Sequence, residues 1–493
     1  MLALAFPSEM TFYTALMESR NTLVSSRAIE RLFDGDHTLW SDSPTELTNR
    51  LGWLTEPKAM VAQIPQLNAF MDSVESLGID RVLWCGMGGS SLFPDLLAES
   101  SLRATDGLLF EVLDSSHPNA VRAAHAFASD GHALIVVASK SGGTIETRSH
   151  LEYLWEHLNG KVEFAAVTDA GSALDINARS KDFLGVFNAN PNIGGRFSAL
   201  SHFGMLAAVL LGVDVASLLH GAIDMLERCR QPEVDNPGIE LGALMGSSAL
   251  AGRDKLILEC HPGFAAWLEQ LIAESTGKHG KGILPVPGTA TDANGDDRIR
   301  VSYGNGGDLD LSAVPLMENA TSMGAEIVRW EVATALAGAV LQINPFDQPD
   351  VEAAKRAASE ALNGSSHTII ERSCADAVAE LNGLSYLTLQ GFVDPRGETA
   401  QNLDADRSAL RDATGRVVTG AVGPRYLHST GQLHKGGPRT GCSLQILDTD
   451  LEPLAIPGRA FGFDDLLRAQ ANGDYQALQD AGHTVHRVRN WTI

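Results

Sequence analysis

From Arg81 onward, short aliphatic and β-branched runs alternate with amphipathic stretches along the chain. RVLWC, GLLFEVLD, ALIVVAS, KVEFAAVTD and DFLGVFNA each have the length and composition of a strand, and the segments between them read as helices. Alternation of this kind predicts a parallel sheet flanked by helices. A helical tract from Ala199 to Leu219 closes this unit, and RQPEVDNPG, Arg230 to Gly238, reads as a linker. The rhythm returns in KLILEC, FAAWLEQLIAES, RIRVSYG, AEIVRWEVATALAGAVLQI, LSYLTLQGF and CSLQILD, which predicts a second α/β unit. The expected division is a helical N-terminal extension at 1–75, a first α/β domain at 76–230 and a second at 238–493 that carries the C-terminal segments.

Composition narrows the partners. With 493 residues and 44% hydrophobic side chains, the chain can build two or three cored domains. A formal charge of -24, from 37 basic and 61 acidic side chains, argues against nucleic acid or an anionic membrane as the main partner. An anionic small substrate then requires hydroxyls, amides and a few cations gathered locally. Five scattered cysteines without a CxxC pair fit a reduced, cytoplasmic setting. No basic n-region opens the chain, and no apolar run reaches the length of a membrane span.

Two glycine-rich turns follow predicted strands. After ALIVVA come Ser139, Lys140, Ser141, Gly142, Gly143 and Thr144, then a helical stretch. A helix N-terminus presents unpaired amides to an anion, so this is either a phosphate loop or an ordinary well-capped helix. After RVLWC comes Gly86-Met87-Gly88-Gly89-Ser90-Ser91. A dinucleotide fingerprint would place its third glycine at 91, which is serine, and the acidic residue expected downstream is poorly placed. A sugar phosphate suits these turns better than NAD, and no P-loop sequence occurs.

Farther on, Phe264, Trp267, Leu268, Leu271 and Ile272 form an apolar helical stripe. Glu274 falls at its border and Glu269 on the opposite, wet side. A partly desolvated carboxylate there can take a proton and return it, with Gln270 one turn earlier addressing the same ligand. The alternative is that Glu274 simply pairs with Lys278 at i,i+4. In NPFDQPDVEAAK, Pro349 opens a helix on which Gln348 and Lys355, seven residues apart, share a face. Lys355 is either a ligand group or a surface lysine.

Together these segments resemble the glucose-6-phosphate isomerase family over most of the chain from Arg81. GMGGSSLFP looks like its glycine-serine loop, SKSGGTIET its phosphate loop and NIGGRFSALSHFG its glycine-arginine signature. EQLIAESTGK is similar to the segment that carries the catalytic glutamate, and INPFDQPDVEAAK to the C-terminal signature. The resemblance implies two doubly wound sugar-isomerase (SIS-type) α/β domains, a metal-free and cofactor-free reaction through an enediol, and a cytoplasmic homodimer. It implies Ser90, Ser139, Ser141 and Thr144 as phosphate ligands with Lys140 in the same loop. By the same resemblance Glu274 is the base with Gln270 nearby, Arg196 after Gly195 steadies the enediolate, and Gln348 and Lys355 contact substrate, the lysine assisting ring opening.

Two departures stand out. No ring-opening histidine segment lies between Gly282 and Gln342, but GPRYLHSTGQLHKGGP resembles that segment displaced beyond the FDQ helix. His428, in preference to His434, then fills the slot. This late arrangement is similar to the isomerase half of bifunctional transaldolase/phosphoglucose isomerases, which suggests a separate transaldolase as a partner. The other departure is Gly143, where many relatives carry threonine, and it removes one phosphate donor. A dual phosphoglucose/phosphomannose isomerase and a non-catalytic sugar-phosphate sensor are the competing functions.

Overall fold

The computed structural model describes residues 9–311, 316–350, 362, 369–381 and 383–491. By contact the chain falls into two compact units, each drawn from three stretches. The first comprises Met1–Ser73, Leu92–Gly107 and Ala189–Asp347, and the second Val74–Ser91, Leu108–Asn188 and Gln348–Ile493.

The second unit holds two parallel sheets. In one, β1 (Arg81–Cys85), β2 (Leu109–Leu113), β3 (Ala133–Ala138), β4 (Glu163–Asp169) and β5 (Gly185–Ala189) are ordered β2-β1-β3-β4-β5. All five match runs read as strands. β1 and β3 are buried throughout, as sheet centres must be when helices cover both faces. Register pairs Cys85 with Leu113 on one side and Val137 on the other, so β1 and β3 end side by side.

The four-stranded sheet of the first unit follows: β6 (Lys255–Glu259), β7 (Leu284–Pro287), β8 (Arg298–Tyr303) and β9 (Leu309–Leu311), ordered β7-β6-β8-β9. LPVP escapes the sequence pattern because proline removes ladder donors, and it is tolerated because β7 is an edge. The remaining strands are β10 (Glu371–Arg372), β11 (Tyr386–Phe392), β12 (Val417–Val422), β13 (Gly441–Leu447) and β14 (Thr484–Val488), ordered β10-β14-β13-β11-β12 in the second unit. The strands expected to share one later sheet thus divide between two: KLILEC and RIRVSYG in one, LSYLTLQGF and CSLQILD in the other. Periodicity marks a buried strand without saying which strand it pairs with.

The tract from Ala199 to Leu219 is broken into helices His202–Leu210 and Val215–Cys229, with Gly212 at φ +70° between them. The stretch read as a linker is a turn inside the first unit, joining Val215–Cys229 to Pro237–Leu250, and both helices pack on the long helix Ala320–Leu341. In the second unit Phe463 and Leu466, from helix Phe463–Asp480, join the core of the β1–β5 sheet. Among the described residues no helix is long and apolar enough to cross a membrane.

Candidate active site

The β2-β1-β3-β4-β5 order reverses direction between β1 and β3, and ligands of such sheets bind beyond the carboxyl ends of strands at that switch. Gly86–Ser91 leaves β1 and Ser139–Thr144 leaves β3. In the first turn Gly88 takes φ +54°, and a Cβ on Gly86 would stand 2.6 Å from the Ser90 carbonyl, so the loop coils back on itself only because these residues lack side chains. Trp84 Nε1 donates to the Ser90 carbonyl at 2.7 Å and pins the coil to β1.

In the other turn Ser139 is buried and its Oγ donates to Thr144 Oγ1 at 3.1 Å. Gly142, at φ +64°, turns the chain, and Ser141 is exposed. The helix Ile145–Leu158 starts directly afterwards, and Thr144 makes no side-chain cap of it; a helix N-terminus is the kind of place at which an anion binds. Lys140 gives its charge to Asp169, 2.8 Å from both carboxylate oxygens. Its cation is therefore shared with an acid of the same sheet. At Gly143 there is room for a side chain, since the nearest atom to an added Cβ is Ser141 Oγ at 3.7 Å.

His428 ends the short turn Arg425–His428, which follows β12 in the same unit. Its Nε2 lies 2.9 Å from Glu146 Oε1. Glu146 is two residues past Thr144 in the first helical turn, and it also accepts from Gln470 Nε2 at 2.6 Å, itself oriented by Ser116 Oγ at 2.6 Å. Burial pushes the Glu146 carboxyl up, but the charge and hydrogen bond of His428 outweigh it and hold the group below its usual range. The turn is anchored by Tyr426, whose hydroxyl donates to Asp474 at 2.6 Å, and by Arg425, 3.0 Å from Asp114. His434, the rival histidine, is buried, and burial together with Lys435 pulls it down to about 3. Gln348 is exposed at the start of the FDQ helix, whose Pro349 and Asp350 are helical, and Lys355 lies outside the described residues.

The first unit contains the other group of candidates. Helix Pro262–Thr276 buries Phe264, Trp267, Leu268, Leu271 and Ile272 as its apolar spacing predicts. Glu274 sits at the border of that stripe with its side chain 12% exposed. Glu269, expected on the wet side, is itself only half-exposed. Gln270 Nε2 donates to Glu274 Oε2 at 3.0 Å, and Arg196 Nη1 stands 3.1 Å from Oε1. Both carboxylate oxygens are engaged. Arg196 comes from the turn Gly195–Phe197, and a Cβ on Gly195 would meet nothing within 4 Å, leaving open space beside that backbone. The guanidinium also donates to Ser275 Oγ at 2.8 Å and to the carbonyls of Pro345 and Asp347 at 2.6 and 2.9 Å. Lys278, the i,i+4 alternative for Glu274, pairs with Asp347 at 2.7 Å instead.

A carboxylate held by an arginine and an amide is equipped for reversible proton transfer beside a developing oxyanion. A serine-rich helix N-terminus at a sheet's switch point is equipped for phosphate. Among the described residues no group of three or more His, Cys, Asp or Glu side chains is placed to hold a metal ion. Residues 56–283 match the phosphoglucose isomerase family model. That match includes Ser90, Ser139, Arg196 and Glu274 and ends before Gln348, Lys355 and His428.

A glucose-6-phosphate isomerase of Synechococcus sp. (strain JA-3-3Ab) is 28% identical over 376 residues, 62% of this chain and 68% of that one. Glucose-6-phosphate isomerase 1, chloroplastic, of Arabidopsis thaliana is 28% identical over 381 residues, 61% and 60% of the two chains. The crystal structure of a glucose-6-phosphate isomerase from Chlamydia trachomatis superposes with a TM-score of 0.55 at 20% identity, covering 72% of this chain and 86% of that one. That likeness establishes the α/β fold of this chain.

The sequence reading missed Glu146 and Gln470. Glu146 stands inside SKSGGTIET, so its place next to the phosphate loop was a usable signal. Gln470 is 324 residues away from it and had none.

Proposed function

We propose that this protein interconverts glucose 6-phosphate and fructose 6-phosphate through a cis-enediol. The observation that carries the reading is the Glu274 carboxylate, with Arg196 on one oxygen and Gln270 on the other. Aldose–ketose exchange needs one base that removes the proton next to the carbonyl and returns it to the neighbouring carbon, and Glu274 is that base. As the C–H electrons move into the carbonyl, the oxygen becomes negative, and the fixed Arg196 cation stabilises it. Open space beside Gly195 leaves room for the reacting carbons to approach this backbone.

The substrate phosphate is assigned to the hydroxyls of Ser90, Ser139, Ser141 and Thr144 and the amides of the following helix. Lys140 contributes there only the part of its charge that Asp169 leaves. His428, oriented by Glu146, exchanges the proton that opens the sugar ring, with Lys355 assisting and Gln348 contacting the sugar. Glu146 plays the part of a carboxylate that selects the imidazole tautomer and stabilises the imidazolium. A sensor that only binds sugar phosphate would need the loop and would have no use for the Glu274 arrangement. The expected setting is cytoplasmic, the expected assembly a homodimer, and a separate transaldolase is a candidate partner.

In deuterium oxide the protein should convert glucose 6-phosphate to fructose 6-phosphate with solvent deuterium entering at the transferred position. Glu274→Gln should abolish both conversion and exchange while calorimetry still detects hexose phosphate binding. Near-normal turnover in that variant refutes the assignment of the base.

A further inference from the structure

Arg196 depends on the segment Asn344–Asp347, because two of its donors end on the carbonyls of Pro345 and Asp347. That segment has no regular secondary structure of its own to hold it. Phe346 packs against Trp40 and Phe197, with ring centroids 5.3 and 5.1 Å apart. The polar side of the segment is tied down by Lys278. This side chain is completely buried, donates to the Asn344 carbonyl, and pairs with the Asp347 carboxylate at 2.7 Å. Lys278 follows directly on the helix of Glu274, past Gly277. One lysine thus ties the end of the base's helix to the strip of backbone on which the arginine rests.

We infer that Lys278 and Asp347 are a positioning pair for the isomerisation, which sets the geometry of Arg196 against Glu274 and keeps this buried group of charges balanced. The inference rests on the function proposed above. Two cations, Arg196 and Lys278, face two carboxylates, Glu274 and Asp347, with Arg50 as the further charge acting on Arg196. A buried ammonium at this depth is costly unless its partners need it there. Burial, then the neighbouring Arg196, pull Lys278 down to about 7, while Asp347 and Glu274 oppose that fall.

The pair makes a signed prediction. Lys278→Met removes positive charge near Glu274, favours its protonated form, and moves the acid limb of the kcat/KM pH profile upward. Asp347→Asn, which keeps shape and changes only charge, moves that limb downward. Each variant of the full chain should lose about tenfold or more in kcat. Binding of a non-isomerisable hexitol 6-phosphate should stay within about threefold, because the pair does not touch the phosphate. The double variant should return the limb towards its original position and be no slower than the poorer single variant, as coupled residues behave.

Folded variants with unchanged kcat, or limbs that shift in the same direction, overturn the inference while leaving the function intact. If both single variants fail to fold, the pair belongs to the scaffold and the inference is overturned as well. A wild-type chain that does not isomerise glucose 6-phosphate overturns the function and this inference with it.

Discussion

Each compact unit contains a carboxylate central to the proposed chemistry, and the two are supported in opposite ways. Glu146 in the second unit stands in the first turn of its helix, where amides and the helix dipole favour an anion. It is fully enclosed and its partners are His428 and Gln470. Glu274 in the first unit stands in the last turn of its helix, the end that disfavours an anion, and it is matched by a buried arginine. A carboxylate that must stay ionised to orient a histidine benefits from the stable end. One that must accept and release a proton is better placed at the unfavourable end, with its charge balanced from outside by a cation that can also serve the oxyanion.

The largest effect expected from breaking this contrast comes from Arg196→Met. It leaves Glu274 beside Lys278 and Asp347 with its counter-ion gone and strips the Pro345 and Asp347 carbonyls of the guanidinium donors. Loss of one partner of a buried pair costs about 3–5 kcal/mol, so chemical denaturation should show a marked fall in stability together with loss of isomerase activity. A variant as stable as the parent would show that the first unit does not need its cation. Glu146→Gln should act differently. The amide keeps the shape and the contact with the helix but loses the charge that supports an imidazolium, so turnover of cyclic substrate should fall about tenfold or more, with stability changed by less than about 1 kcal/mol. If turnover is unaffected, His428 does not rely on this carboxylate.

Acid should weaken the second unit through its buried histidines. Burial pulls His150 down to about 4, against the opposing hydrogen bond to Ser115, and pulls His434 to about 3. Both belong to the second unit. Below the ordinary histidine range the unfolded chain binds protons that the folded chain refuses, so stability rises with pH in that interval and is lost on acidification from about pH 6.5 towards 4. Each histidine contributes a slope of about 1.4 kcal/mol per pH unit there. Denaturation measured between those pH values should flatten in His434→Asn, and an unchanged slope would remove this histidine from the account. The smallest effect is expected at Gly143. A threonine there fits beside Ser141, restores a hydroxyl to the loop, and should lower KM for glucose 6-phosphate about two- to fivefold at constant kcat, the size of one exposed hydrogen bond. A raised KM would mean that the open space at Gly143 serves the loop's own movement.

The candidate groups differ in how far local sequence exposed them. The helix stripe around Trp267 places Glu274 at the edge of burial without reference to any other segment, because helical period alone decides which face is apolar. SKSGGTIET likewise announces a turn before a helix. The partner of Lys278 could not be read in this way, since i,i+4 spacing points to Glu274 whereas the lysine turns to Asp347, 69 positions later by number. Lys140 is similar. Its place in the loop suggests a phosphate cation, and only the pairing of β3 with β4 brings Asp169 against it.

From sequence alone came the strands β1 to β5, the helix of Glu274 and the two serine-rich turns, all of them local patterns of period, composition and motif. Tertiary structure decided which strands share a sheet, that each unit is assembled from three separate stretches, that Glu146 and Gln470 stand behind His428, and that Lys278 serves Asp347. These depend on contacts between residues tens to hundreds of positions apart, which are selected by the packing of whole elements and leave no periodic trace in either partner.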